Sequence, residues 1–310
     1  EKTKHGDFIF IPKTTLDENY KLIVVDEVSM LPVELWDLLL SHHVYVIAVG
    51  DPGQLPPINP ETDNHVLDSP HIFLEEIMRQ AQDSEIIRLS MDIRAGKSIP
   101  LYNGNEVTVV SGQLPGKAYV WADQILVATN KKRKYINDHI RSFLGKGPNP
   151  EDGDKIISLE NHWDISDSTG DIALVNGTIG YIKSCNSTEV NYNIRSKGFP
   201  PKVPVLITTM ETETKHIFPG LYIDYSALTT GTKFLTPEQE YIIYKSKCND
   251  NIPLEFNYGY AITTHKAQGS EWDNVMVIEE NFPFDREQHK RWLYTAVTRA
   301  SKKLVLVRRY

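Results

Sequence analysis

The sequence predicts an α/β protein built on parallel strands and interrupted by a β-rich insertion. Three observations lead there. Val/Ile-rich runs at 20–25 and 44–49 end in polar loops, the form of buried strands in a parallel sheet. Between them Val33, Trp36, Leu39 and Leu40 fall at helical spacing behind Pro32, a residue suited to a first helical turn. From about 151 to 256 the pattern changes to short alternating runs at 178–182, 190–194 and 203–207, separated by Gly, Asn and Pro turns.

The remaining elements follow in order. Residues 71–94 carry apolar side chains at helical spacing, among them Ile72, Leu74, Ile77, Met78, Ile86, Ile87 and Leu89. A buried strand is expected at 125–128, followed by Thr129-Asn130 and a basic helix with Lys131, Lys132, Arg133, Lys134, Ile136, Ile140 and Arg141. The charge run on that helix reads as a solvated face. Beyond the insertion, strands are expected at 260–263, 275–278 and 304–307, with a helix at 292–298. A second α/β domain thus reads as split by the insertion.

Composition sets outer limits. With 310 residues the chain has room for about two domains. No apolar run approaches the roughly 18 residues of a membrane span, and the first residues do not resemble a signal peptide. Cys185 and Cys248 stand apart, which suits a reducing cytoplasm rather than a disulfide framework or zinc site. A net charge of −8 excludes broad electrostatic coating by nucleic acid, yet leaves room for a local basic groove.

Chemistry concentrates at strand ends. Leu22-Ile23-Val24-Val25-Asp26-Glu27 closes an apolar strand with two carboxylates, the form of a Walker B magnesium site. Carboxylates outside a rigid strand can hold a hydrated Mg²⁺ on nucleotide phosphates, and a neighbouring one can polarise water. Taken alone, Asp-Glu after a strand is more often a polar turn. The next strand runs into Gly50-Asp51-Pro52-Gly53-Gln54-Leu55-Pro56-Pro57, a second polar loop at the same sheet edge. Gln54 there could sense a γ-phosphate. No Gly-x-x-x-x-Gly-Lys-Ser/Thr phosphate loop occurs in the 310 residues. Gly96-Lys97-Ser98 imitates its end, but Met91 stands where the first Gly belongs, and Gly231-Thr232-Lys233 fails the spacing too.

Asp26-Glu27-Val28-Ser29-Met30 followed by Gly-Asp-x-x-Gln-Leu-Pro-Pro resembles motifs II and III of superfamily 1B helicases, the RecD, Pif and phage Dda group. The Ser-Met pair sets this branch apart from the UvrD-like one. The resemblance continues along the chain. Ile77-Met78-Arg79-Gln80 is similar to motif IV, and Leu126-Val127-Ala128-Thr129-Asn130 with Asn137 to the opening of the second motor domain. Val175-Asn176-Gly177-Thr178-Ile179-Gly180 resembles the turn entering the family's inserted β-barrel. Residues 263–271 (Thr-Thr-His-Lys-Ala-Gln-Gly-Ser-Glu) resemble motif V, and 293–300 (Leu-Tyr-Thr-Ala-Val-Thr-Arg-Ala) motif VI.

The resemblance implies two RecA-like parallel-sheet motor domains, the first incomplete, with an inserted small β-barrel. Residues 1–14 would be the remnant of a wedge subdomain, 15–75 part of the first motor domain, 76–150 and 257–310 the second, and 151–256 the insert. It implies ATP and Mg²⁺, with Asp26 and Glu27 on the metal and Glu27, Gln54, Arg79 and Arg299 acting on the phosphates. Gly269 and Glu271 would lie near the nucleotide, and Thr264, His265, Lys266 and Gln268 on the backbone of single-stranded DNA. Hydroxyls, amides and a cation hold phosphates without reading bases, as a sequence-indifferent motor requires.

The implied activity is 5′→3′ translocation on single-stranded DNA with unwinding at duplex junctions. It would be the work of a monomeric motor in a bacterial or phage-infected cytoplasm, with replication or recombination proteins as further partners. Two other readings stand beside it: a catalytically silent DNA-binding or interaction module, and an ATP-driven translocase that remodels nucleoprotein without unwinding. With the phosphate loop missing, this chain alone is expected not to hydrolyse ATP, and the missing segment is expected to belong to the protein.

Overall fold

A computed structural model describes residues 15–16, 19–57, 62–74, 84–196, 198–246, 252–281 and 285–309. Along the chain run β1 (Leu22–Val25), α1 (Val33–Leu40), β2 (Tyr45–Ala48), α2 (Glu85–Arg94), β3 (Tyr102–Asn103), β4 (Val107–Ser111), α3 (Gly116–Tyr119), β5 (Gln124–Val127) and α4 (Asn130–Phe143). The insertion follows with β6 (Lys155–Ser158), β7 (His162–Ser166), β8 (Ala173–Leu174), β9 (Ile179–Val190), β10 (Val203–Thr212), β11 (Ile217–Asp224), α5 (Tyr225–Thr230), α6 (Pro237–Ser246) and β12 (Phe256–Tyr258). The chain closes with β13 (Ala261–Thr263), α7 (Thr264–Ala267), β14 (Trp272–Ile278), α8 (Arg286–Val297) and β15 (Ala300–Arg308). These elements form two compact units, one from the described residues of 12–133 and 262–310, the other from those of 134–261.

The first unit holds a six-stranded sheet in the order β13-β5-β14-β15-β4-β3. Strands β5, β14, β15 and β4 pair in parallel and β3 adds an antiparallel edge. All four residues of β5 are buried, as are 275–278 of β14, so the near-continuous apolar runs have the two-sided cover that a parallel sheet requires. Helix α8 lays Trp292, Leu293, Ala296 and Val297 into the core and is started by Asp285, whose carboxylate accepts the Gln288 N–H at 2.8 Å.

A second, two-stranded parallel sheet pairs β1 with β2, Leu22 opposite Tyr45 through Val25 opposite Ala48. The expectation that these strands are buried needs correction: Leu22, Val24, Tyr45 and Ile47 are exposed, and the residues between them only half-buried. One face of the pair is uncovered, so alternate apolar residues meet solvent.

Other differences are local. Helix α2 begins at Glu85, whereas residues 71–74 are not helical, and 75–83 lie outside the described residues. Ser84 caps α2, and Glu85 ties it to the sheet by accepting the N–H groups of Glu106 (2.8 Å) and Val107 (3.0 Å). Gly96 ends this helix at φ +69°, with the Lys97 N–H returning to the Asp92 carbonyl. The Gly-Lys-Ser stretch is therefore a helix stop, which is why it has no phosphate-loop form.

In the second unit β6 and β9–β12 form an antiparallel sheet ordered β11-β10-β9-β6-β12. Leu254, just ahead of β12, exchanges backbone hydrogen bonds with β11, its N–H to Tyr222 O at 2.7 Å and its O from Asp224 N–H at 2.9 Å. Phe218, Phe256, Ile156, Leu206 and Met210 fill its core. A Cβ on Gly180 would sit 2.6 Å from Met210 Cγ, so this β9 position takes only glycine. The runs expected at 178–182 and 190–194 are replaced by one twelve-residue strand ending at Val190. Helices α5 and α6 were not anticipated in a region read as β-rich. Asp224 starts α5 by accepting the Ala227 N–H at 2.9 Å.

Asn137 on α4 accounts for its place in the sequence pattern. Its amide donates to the carbonyls of Tyr258 and Ala261, both at 3.0 Å, and accepts the Ala261 N–H at 2.8 Å, clamping the backbone that leads into β13. Arg141 on the same helix forms a buried pair with Asp154 at 3.0 Å and lies 4.2 Å from the centre of the Tyr258 ring.

Candidate nucleotide and DNA site

Every residue of the site discussed here lies in the first unit. At the end of β1, Asp26 is exposed and its carboxylate accepts the Glu27 N–H at 2.8 Å. Glu27 itself takes the left-handed conformation, φ 51° and ψ 41°, uncommon for a residue with a side chain and typical of constrained functional turns. Its turn is held from both sides. The Val28 N–H donates to Val49 O at 3.0 Å, and the Asn64 amide donates to the carbonyls of Val28 (2.8 Å) and Leu31 (2.6 Å).

The donor set fits a hydrated magnesium ion. Among the described residues no three His, Cys, Asp or Glu side chains gather around one point. A cation at Asp26 and Glu27 would therefore keep waters and phosphate oxygens in its shell, the habit of Mg²⁺.

The loop after β2 brings Gln54 to the same unit. Its Oε1 is buried and has no hydrogen-bond partner among the described residues. A buried amide oxygen without a partner costs free energy, so the position is suited to a group that arrives with a donor. The loop packs on α8: the Leu55 N–H donates to Thr295 Oγ1 at 3.0 Å, and Tyr294 OH donates to Asp51 at 2.6 Å. Burial, then this hydrogen bond, pushes the Tyr294 hydroxyl up to about 12.

Arg299 follows α8 directly. It is 8 % exposed, and its donors go to neutral oxygens: Thr295 O (3.1 Å), Ser270 O (3.3 Å) and Thr298 Oγ1 (3.2 Å). Burial lowers its pKa, opposed by the carboxylates of Glu27, Glu271 and Asp51, and a guanidinium stays charged throughout. Among the described residues this buried cation is bonded to neutral oxygens and lies within the field of the carboxylates, a setting chemically suited to an added anion. Arg79 lies outside the described residues.

The turn between β13 and β14 carries the remaining residues. Thr264 is fully buried and donates to Val127 O at 3.4 Å, supporting the turn from inside. His265 and Lys266 are half-buried, and burial lowers the His265 pKa. Gln268 donates to Leu55 O at 3.3 Å and keeps a buried Oε1 without a partner among the described residues. Gly269 turns at φ +74°, and Glu271 is exposed. Leu55 thus joins this turn to α8, its carbonyl bonded to Gln268 and its N–H to Thr295. Asp51, Tyr294, Thr295 and Arg94 belong to the network but were not anticipated. Residues 51 and 294 are far apart in sequence, and only folding pairs them.

The first unit places two carboxylates and a glutamine at strand ends and a buried arginine behind a helix. Comparison with known proteins shows what such a chain is similar to. Residues 258–307 match the UvrD-like helicase C-terminal domain and residues 2–108 an AAA domain. The chain is similar to the ATP-dependent RecD2 DNA helicase of Deinococcus radiodurans, 23 % identical over 312 residues, covering 91 % of this chain and 35 % of that protein. The chain therefore spans about a third of that relative. Its fold is similar to the crystal structure of Pif1 helicase from Candida albicans (TM-score 0.51, 17 % identity, 93 % of this chain and 71 % of that one). It is likewise similar to Pif1 helicase from Bacteroides in complex with ADP-AlF3 and single-stranded DNA (TM-score 0.51, 16 % identity, 92 % and 70 %). Together with motifs II, III, V and VI, these findings support membership of helicase superfamily 1B. No helix among the described residues is long and apolar enough to cross a membrane.

Proposed function

We propose that the protein carrying this chain is an ATP-dependent DNA helicase that moves 5′→3′ on single-stranded DNA and unwinds duplex ahead of it. The observation that carries this reading is the buried Arg299, bonded among the described residues to neutral oxygens and set in the field of Glu27. Asp26 and Glu27 would hold Mg²⁺, which supplies charge neutralisation at the transferring phosphoryl group. Glu27 would polarise the attacking water, Gln54 would use its free oxygen to hold that water or the γ-phosphate edge, and Arg299, with Arg79, would stabilise the charge that develops.

His265, Lys266 and Gln268 would contact the DNA backbone, with Thr264 supporting their turn, while Gly269 and Glu271 border the nucleotide. Because Gln268 bonds the loop that carries Gln54, DNA and nucleotide occupancy would be sensed through one residue, Leu55. The sheet of the second unit is read as the inserted barrel. Without a phosphate loop in its 310 residues, the chain alone is expected to be silent as an ATPase.

Strand displacement by the full-length protein tests the reading. A forked substrate with a 5′ single-stranded tail is unwound with ATP, and one with only a 3′ tail is not. Single-stranded DNA-stimulated hydrolysis without any displacement would leave a non-unwinding translocase instead.

A further inference from the structure

Asp51, Tyr294 and Arg94 have no role of their own on nucleotide or DNA, yet they meet at one place, and the Asp51 carbonyl accepts the Gln54 N–H at 3.1 Å. Tyr294 OH donates to Asp51 Oδ2 at 2.6 Å, and Arg94 Nη1 stands 3.5 Å from Asp51 Oδ1. The Arg94 guanidinium also lies 5.8 Å from the centre of the Tyr294 ring. Asp51 Oδ1 accepts the Gly53 N–H at 2.8 Å, closing the turn that presents Gln54. A Cβ on Gly53 would come within 3.2 Å of Tyr294 Cε1, so loop and ring are in close contact. One residue further along α8, Thr295 holds the Leu55 N–H, and the Arg299 Nε donates to the Thr295 carbonyl.

We propose that Asp51, Tyr294 and Arg94 form a latch that fixes the loop at 50–57 to α8, setting Gln54 and Arg299 in register for phosphoryl transfer. The inference rests on the reading of those two residues as phosphate-facing. The three latch residues are positioning residues. Tyr294 belongs to α8, Asp51 to the loop after β2 and Arg94 to the end of α2, so three chain segments converge on one carboxylate. That carboxylate accepts the Tyr294 hydroxyl and the Gly53 N–H and pairs with the Arg94 guanidinium at 3.5 Å, so it ties the three segments together. Loss of any one partner frees the loop while leaving both phosphate-facing side chains in the sequence.

Two measurements test it. In hydrogen exchange on the 310-residue chain, Tyr294→Phe and Asp51→Asn each raise exchange at the Gly53 and Leu55 amides by roughly tenfold. The double variant is no worse than the stronger single one, and amides of β14 and β15 are unchanged. In the full-length protein with saturating single-stranded DNA, Tyr294→Phe lowers kcat about tenfold and leaves KM for ATP within about twofold. Arg94→Lys retains most of kcat, whereas Arg94→Ala does not. Unchanged exchange at Gly53 and Leu55 overturns the latch. Raised exchange with unchanged kcat overturns its positioning role. A wild-type protein without DNA-stimulated turnover refutes the ATPase reading instead, and the exchange comparison still decides the latch.

Discussion

The carboxylate-bearing sheet and the arginine-bearing sheet are built to different standards. β1 and β2 form a two-stranded pair whose alternate apolar residues are exposed, Val24 by 61 % and Tyr45 by 82 %. The six-stranded sheet that supports Arg299 has Leu126, Val275 and Leu306 at 0 % exposure. A buried guanidinium needs rigid, water-excluding surroundings to hold its charge in place, and the larger sheet with α8 provides them. Asp26 and Glu27 sit on a thin scaffold, steadied by the Asn64 amide and by the bond from Val28 to Val49. The arginine half of the site is thus preorganised within its own sheet, while the carboxylate half depends on local turn chemistry.

Substitutions at graded depth break or sharpen this contrast. The largest effect is expected at Arg299. In the full-length protein Arg299→Ala lowers kcat for DNA-stimulated ATP hydrolysis by about 10³-fold or more, in the range of other phosphate-clamping arginines. A loss below about tenfold would mean that Arg299 holds structure only. Next, Leu126→Ala removes a fully buried β5 side chain and should cost about 2–5 kcal/mol in denaturant unfolding.

A pH effect of intermediate size is expected at Glu85. Hydrogen bonds from the Val107 and Glu106 N–H groups, with those from Tyr102 and Asn105, hold its carboxyl at about 2 against an ordinary 4.5. The ionised form is favoured by folding, so its contribution is present above the ordinary value and lost as pH falls toward 2. Glu85→Gln should therefore flatten the drop in unfolding midpoint between about pH 6 and pH 3. An equally steep drop in the variant would assign the acid sensitivity elsewhere. The smallest effect is expected at Val24→Ala on the open face of β1, within about 0.5 kcal/mol of wild type. A cost like that of Leu126→Ala would show that the β1–β2 pair is as well supported as the large sheet.

Much of this was legible in the residues. The strands at 125–128, 275–278 and 304–307 were readable because continuous Val/Ile/Leu runs require cover on both faces, and they have it. The same logic failed for β1 and β2, since composition gives strand propensity but not the neighbours that cover a face. Helix α5 escaped because Tyr225–Thr230 is short and begins on an Asp cap within a run of strands. Motif order singles out Asp26, Glu27, Gln54 and Arg299 as the proposed site residues, because the chemistry proposed for them is written in the residue types. Tyr294 with Asp51, and Thr295 with Leu55, depend on three-dimensional pairing, and no local pattern announces them.

The most direct test is Mg²⁺-dependent ATP hydrolysis by the purified 310-residue chain in the presence of oligo(dT). The absence of a phosphate loop from its sequence predicts no turnover above background. Turnover that requires Mg²⁺ and is abolished by Glu27→Gln would contradict the account, because the strand-end carboxylates and Arg299 would then suffice without that loop.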